Sequence, residues 1–159
     1  MEQGAVTLGE LETLYRSELP AFRRFARAVL GDSEAASDAV QDGFVRAIRD
    51  RRAFRGEGTL EAWVWRCVAN SVRNANRRPR LVVDAPDDAA PDAAEHDAAL
   101  RGLVAQLPER QRLVLFLRYF ADLDYASIAA ALEIAPGTVA ASLHAAHSTL
   151  RNALEEVER

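Results

Sequence analysis

TLEAWVWRCVANSVRNANRR, residues 59–78, is the stretch from which the fold of this chain is read. Leu60, Val64, Cys67, Val68, Ser71 and Ala75 recur at the spacing of one helical face and predict its buried side. Trp63, Arg66, Asn70, Arg73, Asn74 and Arg77 gather on another side, with Arg78 at the end. Thr59 stands where a hydroxyl caps a helix start, and the preceding loop, Arg55-Gly56-Glu57-Gly58, offers two flexible backbone positions. The pattern predicts a helix through Arg78 that carries a basic, amide-bearing stripe beginning at an aromatic.

That combination suits nucleic acid. Arginine meets phosphates, asparagine can hydrogen-bond a base edge, and an aromatic ring can stack on an unpaired base, which makes melted DNA a candidate target. The plainer alternative is a solvated arginine-rich face with Trp63 and Trp65 in the core. Cys67, the single cysteine, reads as a core thiol and forms no disulfide within the chain.

Toward the N-terminus, Leu8–Glu18 and Pro20–Leu30 read as two helices, with Pro20 suited to a first turn and Gly31 to an end. Between Glu34 and Asp50, Ala36, Val40, Phe44, Ala47 and Ile48 fall on one helical face. Asp38, Gln41, Asp42, Val45 and Arg49 fall on the other, an acidic and amide-bearing stripe with an exposed valine.

Beyond Arg78 the character changes. Leu81 to Ala99, LVVDAPDDAAPDAAEHDAA, has two prolines, six acids and no arginine, and reads as a flexible acidic linker. After it, Pro108 begins a helix that runs to about Phe120. Tyr125 to Leu132 then forms a short helix with Ile128, Ala129 and Leu132 inward, Glu133 to Pro136 turns, and a longer helix follows from Gly137. Val139, Leu143, Ala146, Leu150 and Ala153 hold that helix down, leaving Thr138, Ala141, Ser142, His144, Ala145 and Ser148 outward with Arg151 as the one fixed cation near the end of that face. The shape is a helix-turn-helix. Its sparse charge leaves a helical packing or protein-binding module open as the alternative, because phosphate neutralisation normally supplies much of the affinity for DNA.

Composition agrees with an all-α fold: alanine, leucine, arginine and glutamate are common, and glycine and proline number 8 and 6 in 159 residues. The expected organisation is a helical domain over 1–80, the linker over 81–99 and a helix-turn-helix domain over 100–159. A formal net charge of −4 argues against a generally sticky nucleic-acid binder. The charge is divided, however: residues 1–80 carry 14 arginines against 11 acids, whereas residues 81–159 carry 6 against 13. A DNA-binding surface belongs mainly to the first part. No apolar run approaches the ~20 residues that span a bilayer, and the N-terminus lacks the features of a secretory signal, so the expectation is a cytoplasmic protein without membrane insertion. Phosphate loops, nucleophile elbows and Cys-His pairs are missing from the sequence, so no enzymatic activity and no cofactor are expected. Glu95-His96-Asp97 in the acidic stretch and His144 with His147 are weak metal signals without further ligands, and no metal site is expected.

Ala36-Ser37-Asp38-Ala39-Val40-Gln41-Asp42-Gly43-Phe44, then Phe54-Arg55-Gly56-Glu57, Ala62-Trp63-Val64 and Asn70, occur in the order found in one family. Leu107-Pro108-Glu109-Arg110-Gln111-Arg112, Leu117-Arg118-Tyr119, Tyr125, Ile128-Ala129 and Gly137-Thr138-Val139 continue that order. Over nearly its full length the chain resembles the bacterial sigma factors of the extracytoplasmic-function type. The resemblance implies a transcription initiation factor, monomeric when free, whose partners are core RNA polymerase and promoter DNA. Many members are also held by an anti-sigma factor. It implies that Asp38, Gln41, Asp42 and Val45 dock on the polymerase clamp. The loop Arg55, Gly56, Thr59 and Leu60, with the stripe from Trp63 to Arg78, would melt and read the minus-ten element. The second block would bind the polymerase flap and the minus-thirty-five element through Thr138, Ala141, Ser142, His144, Ala145, Ser148 and Arg151, while the linker threads the polymerase between the two sites. Two departures stand out: Ala140 to Ser148 lack the basic residues the family has after Thr-Val, and Glu133 stands where the family often has glycine in the turn.

Overall fold

The computed structural model describes residues 5–78 and 91–159, and the side chains of all of these except 91–97. Within those limits the chain is all-α: α1 Leu8–Leu30, α2 Ser33–Arg49, a short 3-10 turn Arg51–Ala53, α3 Leu60–Asn76, α4 Pro91–Ala105, α5 Glu109–Tyr119, α6 Tyr125–Leu132 and α7 Pro136–Val157. Most helix starts are set by a local side chain. Thr7 and Glu10 form a reciprocal capping box at α1, with the Glu10 N–H donating to Thr7 Oγ1 at 3.2 Å and the Thr7 N–H to Glu10 Oε2 at 2.8 Å. Asp32 caps α2, Thr59 caps α3 as expected by accepting from the Ala62 N–H at 3.1 Å, and Asp124 caps α6 by accepting from the Ser127 N–H at 2.7 Å.

Residues 8–30 form one helix, not the two expected with a break before Pro20. Proline inside a helix removes one backbone hydrogen bond and crowds the preceding turn. Pro20 lies on the exposed side, where water can serve the released carbonyl, while Leu11, Phe22, Phe25, Ala26 and Leu30 stay in phase on the buried side through it. Burial of that continuous face outweighs the local defect. Gly31 ends α1 in the left-handed conformation at φ 72°, as its position at the close of the pattern implied.

The core of the first block is aromatic. Phe22, Phe25 and Trp65 are completely buried, with the Phe22 and Trp65 rings 4.4 Å apart and Phe25 and Trp65 6.0 Å apart. Tyr15 and Phe44 meet edge to face at 4.6 Å. In the second block, Leu113, Val114, Leu117, Ile128, Leu132, Val139 and Leu143 are buried among α5, α6 and α7. Helices α6 and α7 meet at 102° across Glu133–Ala135, the angle of a helix-turn-helix. Helix α7 begins at Pro136, one residue before the expected Gly137, because proline at a first helical position loses nothing and presets φ.

The two blocks are not held apart. Helix α6 packs on α3 and α5 touches α1, so a single buried cluster continues from Phe22, Trp65 and Val68 to Leu117, Ile128 and Leu132. The stretch read as a flexible linker is helical from Pro91 onward, where proline opens an alanine-rich helix with Asp92 and Glu95 close to its start. Residues 81–90 of that stretch lie outside the described residues.

Candidate polymerase and nucleic-acid interface

On α2 the two faces separate as the spacing implied, with one change. Ala36, Val40, Phe44 and Ala47 are buried; Asp38, Gln41, Asp42, Val45 and Arg49 are exposed. Ile48, expected inward, is 39% exposed and adjoins Val45, itself 60% exposed. Among the described residues the last turn of α2 leaves Ile48 partly uncovered, so the apolar part of this stripe is wider than the sequence suggested. Val45 and Ile48 thus form a small exposed apolar patch on the same helix as the exposed carboxylates Asp38 and Asp42.

The loop before α3 uses its glycines. Gly56 and Gly58 have φ values of 77° and 78°, a region that side chains disfavour, and these two reversals carry Arg55 and Glu57 outward between Phe54 and the Thr59 cap. Phe54 and Trp63, both half-buried, meet across the loop's base with ring centroids 5.7 Å apart and planes tilted by 53°. Trp65, in contrast, belongs wholly to the core, so of the two tryptophans only Trp63 is reachable.

Along α3 the buried arc is broader than a single stripe. Ala62, Trp65, Ala69 and Val72 join Val64, Val68 and Ser71 inside, while Leu60, Cys67 and Ala75 are only half-buried. Helices α1 and α2 take one side of α3 and α6 takes another. As a result, Trp63, Arg66, Asn70 and Arg73 of the expected DNA stripe are half-covered, and Asn74, Arg77 and Arg78 are exposed. Burial pushes the Cys67 thiol above its ordinary pKa, opposed in part by Arg66, and so disfavours the thiolate.

Three arginines of that stripe face carboxylates from the second block. Arg73 Nε donates to Glu109 Oε1 at 3.2 Å, Arg77 Nη2 lies 3.8 Å from the same oxygen, and Arg66 Nη1 lies 3.5 Å from Glu133 Oε1. Nearby, Arg24 Nε donates to the Phe120 carbonyl at 3.0 Å. These pairs are partly solvent-accessible, and surface pairs of this kind contribute only about 0.2–1 kcal/mol each. Burying Ile128 or Leu132 contributes roughly 1.5–3 kcal/mol apiece, so the apolar seam holds the blocks together and the ion pairs set which charges meet. Glu133 reaches Arg66 from a left-handed backbone, φ 56° and ψ 44°, which is the conformation a glycine would adopt there without strain. No periodicity announced these pairs: their members, Arg77 and Glu109 the nearest in sequence, lie 32 or more positions apart.

The outward face of α7 is thinner than expected. Ser142 is buried at 8% exposure and leaves that face, because it sits beside Val139, Leu143 and Ala146 on the side packed against α5 and α6. Ala141, His144 and Arg151 are exposed, and Thr138, Ala145 and Ser148 are half-exposed. His147 Nε2 is 2.8 Å from the Tyr119 hydroxyl, and Tyr119, Phe120 and Tyr125 add exposed aromatic surface that the pattern did not single out. Among the described residues no three His, Cys, Asp or Glu side chains converge to hold a metal ion, and no single helix is long and apolar enough to cross a membrane. The side chains of Glu95, His96 and Asp97 lie outside the described residues.

Comparison with known proteins follows the same division. The family description Sigma-70 region 2 matches residues 14–81 and Sigma-70, region 4 matches residues 97–150. The RNA polymerase sigma-E factor of Streptomyces avermitilis is 30% identical over 154 residues, covering 92% of this chain and 86% of that protein. The ECF RNA polymerase sigma factor SigL of Mycobacterium tuberculosis is 30% identical over 161 residues, covering 92% and 90%. Among solved structures, CnrH in complex with the cytosolic domain of CnrY superposes with a TM-score of 0.74 at 21% identity, covering 94% of this chain and 90% of that one. The sigma factor RpoE in complex with the anti-sigma factor NepR from Bartonella quintana gives 0.70 at 20%, covering 93% and 98%. Two helical blocks in this order, with these relatives along nearly their whole length, make the chain a member of the extracytoplasmic-function sigma factors of RNA polymerase, transcription initiation factors that direct the polymerase to promoters.

Proposed function

We propose that the first block docks on core polymerase through Asp38, Gln41, Asp42 and Val45 of α2, widened by Ile48, and engages minus-ten DNA through Arg55 to Leu60 and the α3 stripe from Trp63 to Arg78. One observation carries this reading: successive helices present an exposed acidic–apolar stripe and an arginine–asparagine stripe headed by a reachable tryptophan, two surfaces of opposite chemistry on one rigid core. Residues 1–80 are the polymerase and minus-ten unit, 100–159 the upstream-DNA unit, and 81–99 the connection between them. The protein works in the cytoplasm and catalyses nothing itself; polymerase supplies the chemistry.

Strand opening draws on binding energy. Unstacking a base costs a few kcal/mol, and stacking it on an aromatic side chain returns about 1–3 kcal/mol. Trp63, backed by Phe54, is the ring positioned for that, with Arg73, Arg77 and Arg78 neutralising phosphates along the same helix. Upstream, Thr138, Ala141, His144, Ala145, Ser148 and Arg151 meet the minus-thirty-five element mainly by shape and methyl contact, with little phosphate neutralisation. By analogy with the RpoE–NepR complex, an anti-sigma partner holds the factor until it is needed.

Two variant sets test the division of labour. Asp38→Ala is expected to weaken co-migration with core polymerase first. Arg73→Ala and Arg77→Ala are expected to leave that association intact, weaken promoter complexes and reduce their salt slope by about one per arginine. Promoter complexes of Arg73→Ala with unchanged salt dependence would contradict the phosphate role.

A further inference from the structure

We propose that His144, His147 and Arg151 form the phosphate-contacting strip of the helix-turn-helix, with Tyr119 orienting the His147 ring, and that both imidazoles meet DNA in the protonated state, so that upstream DNA binding takes up protons. This rests on the reading of α7 as the upstream-DNA face. Spacings of three and four residues put the three side chains on one side of α7, and all three are exposed. Ala140 and Ala141, exposed one turn earlier on that side, are too short to hold a duplex away. From Pro136 to Leu150 the helix has no arginine or lysine, yet two of the chain's three histidines lie there, so its charge toward DNA depends on these two rings.

Tyr119 supplies an independent observation. Its hydroxyl lies 2.8 Å from His147 Nε2, with the ring centroids 5.8 Å apart and the planes tilted by 49°. That bond survives a change of protonation: an unprotonated Nε2 accepts from the phenol, and a protonated one donates to it. In the charged ring Nδ1–H remains for a phosphate oxygen, and a bond from a charged donor is roughly twice as strong as a neutral one. A ring already held in one orientation loses less freedom when it binds.

The surroundings leave that charge for DNA. Helices α5, α6 and α4 pack against α7. On α5, Arg118 lies 3.5 Å from Asp122, Arg112 donates to the Ala105 carbonyl at 3.0 Å, Arg110 is exposed near the start and Glu109 is turned to Arg73. Helix α6 carries Tyr125, with Glu133 at its end turned to Arg66, and α4 brings Arg101. On α7 itself Glu155 and Glu156 come only after Arg151. Among the described residues neither imidazole is paired with a carboxylate. A phosphate beside the rings therefore becomes the anion that favours their charged form, and DNA and protons bind together. Histidine is the side chain whose charge ordinarily changes between about pH 5 and 8, so the thin charge of α7 is conditional on pH.

The test uses the full chain and a fluorescein-labelled duplex of mixed sequence, read by anisotropy over a salt series at about pH 6 and about pH 8. Wild type is expected to bind about tenfold tighter at the lower pH, with a salt slope steeper by up to about two. His144→Gln/His147→Gln should bind alike at both, and His96→Gln should keep the wild-type difference. Tyr119→Phe should lose part of the low-pH gain with no change in Tm; an unaltered pH profile would remove the tyrosine from the strip. His144→Arg/His147→Arg should bind at the higher pH as tightly as wild type does at the lower. Wild-type binding that does not change with pH, or a change that survives His144→Gln/His147→Gln, would overturn the proton coupling. If the arginine variant gains nothing over the glutamine variant at either pH, α7 is not the DNA face, a failure distinct from that of the coupling alone.

Discussion

Gly43 of α2 lies directly against Val68 of α3: a Cβ built on Gly43 would stand 2.8 Å from the Val68 Cα and 3.2 Å from its Cγ2. The nearest atom is backbone, which cannot rotate away. The close passage of these helices fixes how the acidic–apolar stripe of α2 sits relative to the arginine–asparagine stripe of α3.

Gly43→Ala should therefore destabilise the protein although alanine is the better helix former. Overpacking of this kind costs about 1–3 kcal/mol, which for a chain of this size lowers Tm by roughly 3–10 °C. Thermal unfolding by circular dichroism checks it; an unchanged or raised Tm would mean that α2 can move off α3 at no cost.

Glu133→Gly should act in the opposite direction. Relief of a left-handed side-chain-bearing residue is worth about 1 kcal/mol, and the partly exposed Arg66 pair at 3.5 Å is worth less after screening. A slightly raised Tm with weaker protection of α3 amides from hydrogen exchange is the expected pair of outcomes. A clear drop in Tm would show that the pair dominates the strain.

Asp124 gives the helix-turn-helix a pH dependence. The Ser127 backbone N–H it accepts holds its carboxyl below the ordinary aspartate value, with the Ser127 side chain adding to this. A depressed carboxylate stabilises the fold fully above the unfolded-state pKa and loses that contribution as pH falls through the folded-state pKa. Asparagine at an N-cap accepts the same bond without titrating. Between about pH 5 and about pH 3, wild type should lose stability relative to Asp124→Asn in denaturant titrations. A constant difference across that window would remove the carboxylate from the account.

Local chemistry was legible in the sequence. The bounds of α6 follow from the apolar spacing of Ile128, Ala129 and Leu132 and the turn before Pro136, while its Asp124 cap shows only in the fold; the Thr59 cap and the α2 stripe are equally plain in sequence. Errors arose where tertiary packing overrode a local signal. Pro20 points to a helix start because proline favours a first turn, but the buried face runs through it. The alanines after Pro91 favour helix, and the prolines and acids around them concealed this. Ser142 looked outward as a polar residue, yet its position on α7 faces the α5–α6 packing. The pairing of Arg66, Arg73 and Arg77 with Glu133 and Glu109 has no sequence period, so only the folded arrangement reveals it.

Run-off transcription with bacterial core polymerase on a genomic template from the source organism, with and without this protein, bears most directly on the central claim. New, discrete start sites that appear only with the protein, and that disappear with Asp38→Ala, are the expected result. Unchanged transcripts together with no co-migration with core polymerase would contradict it.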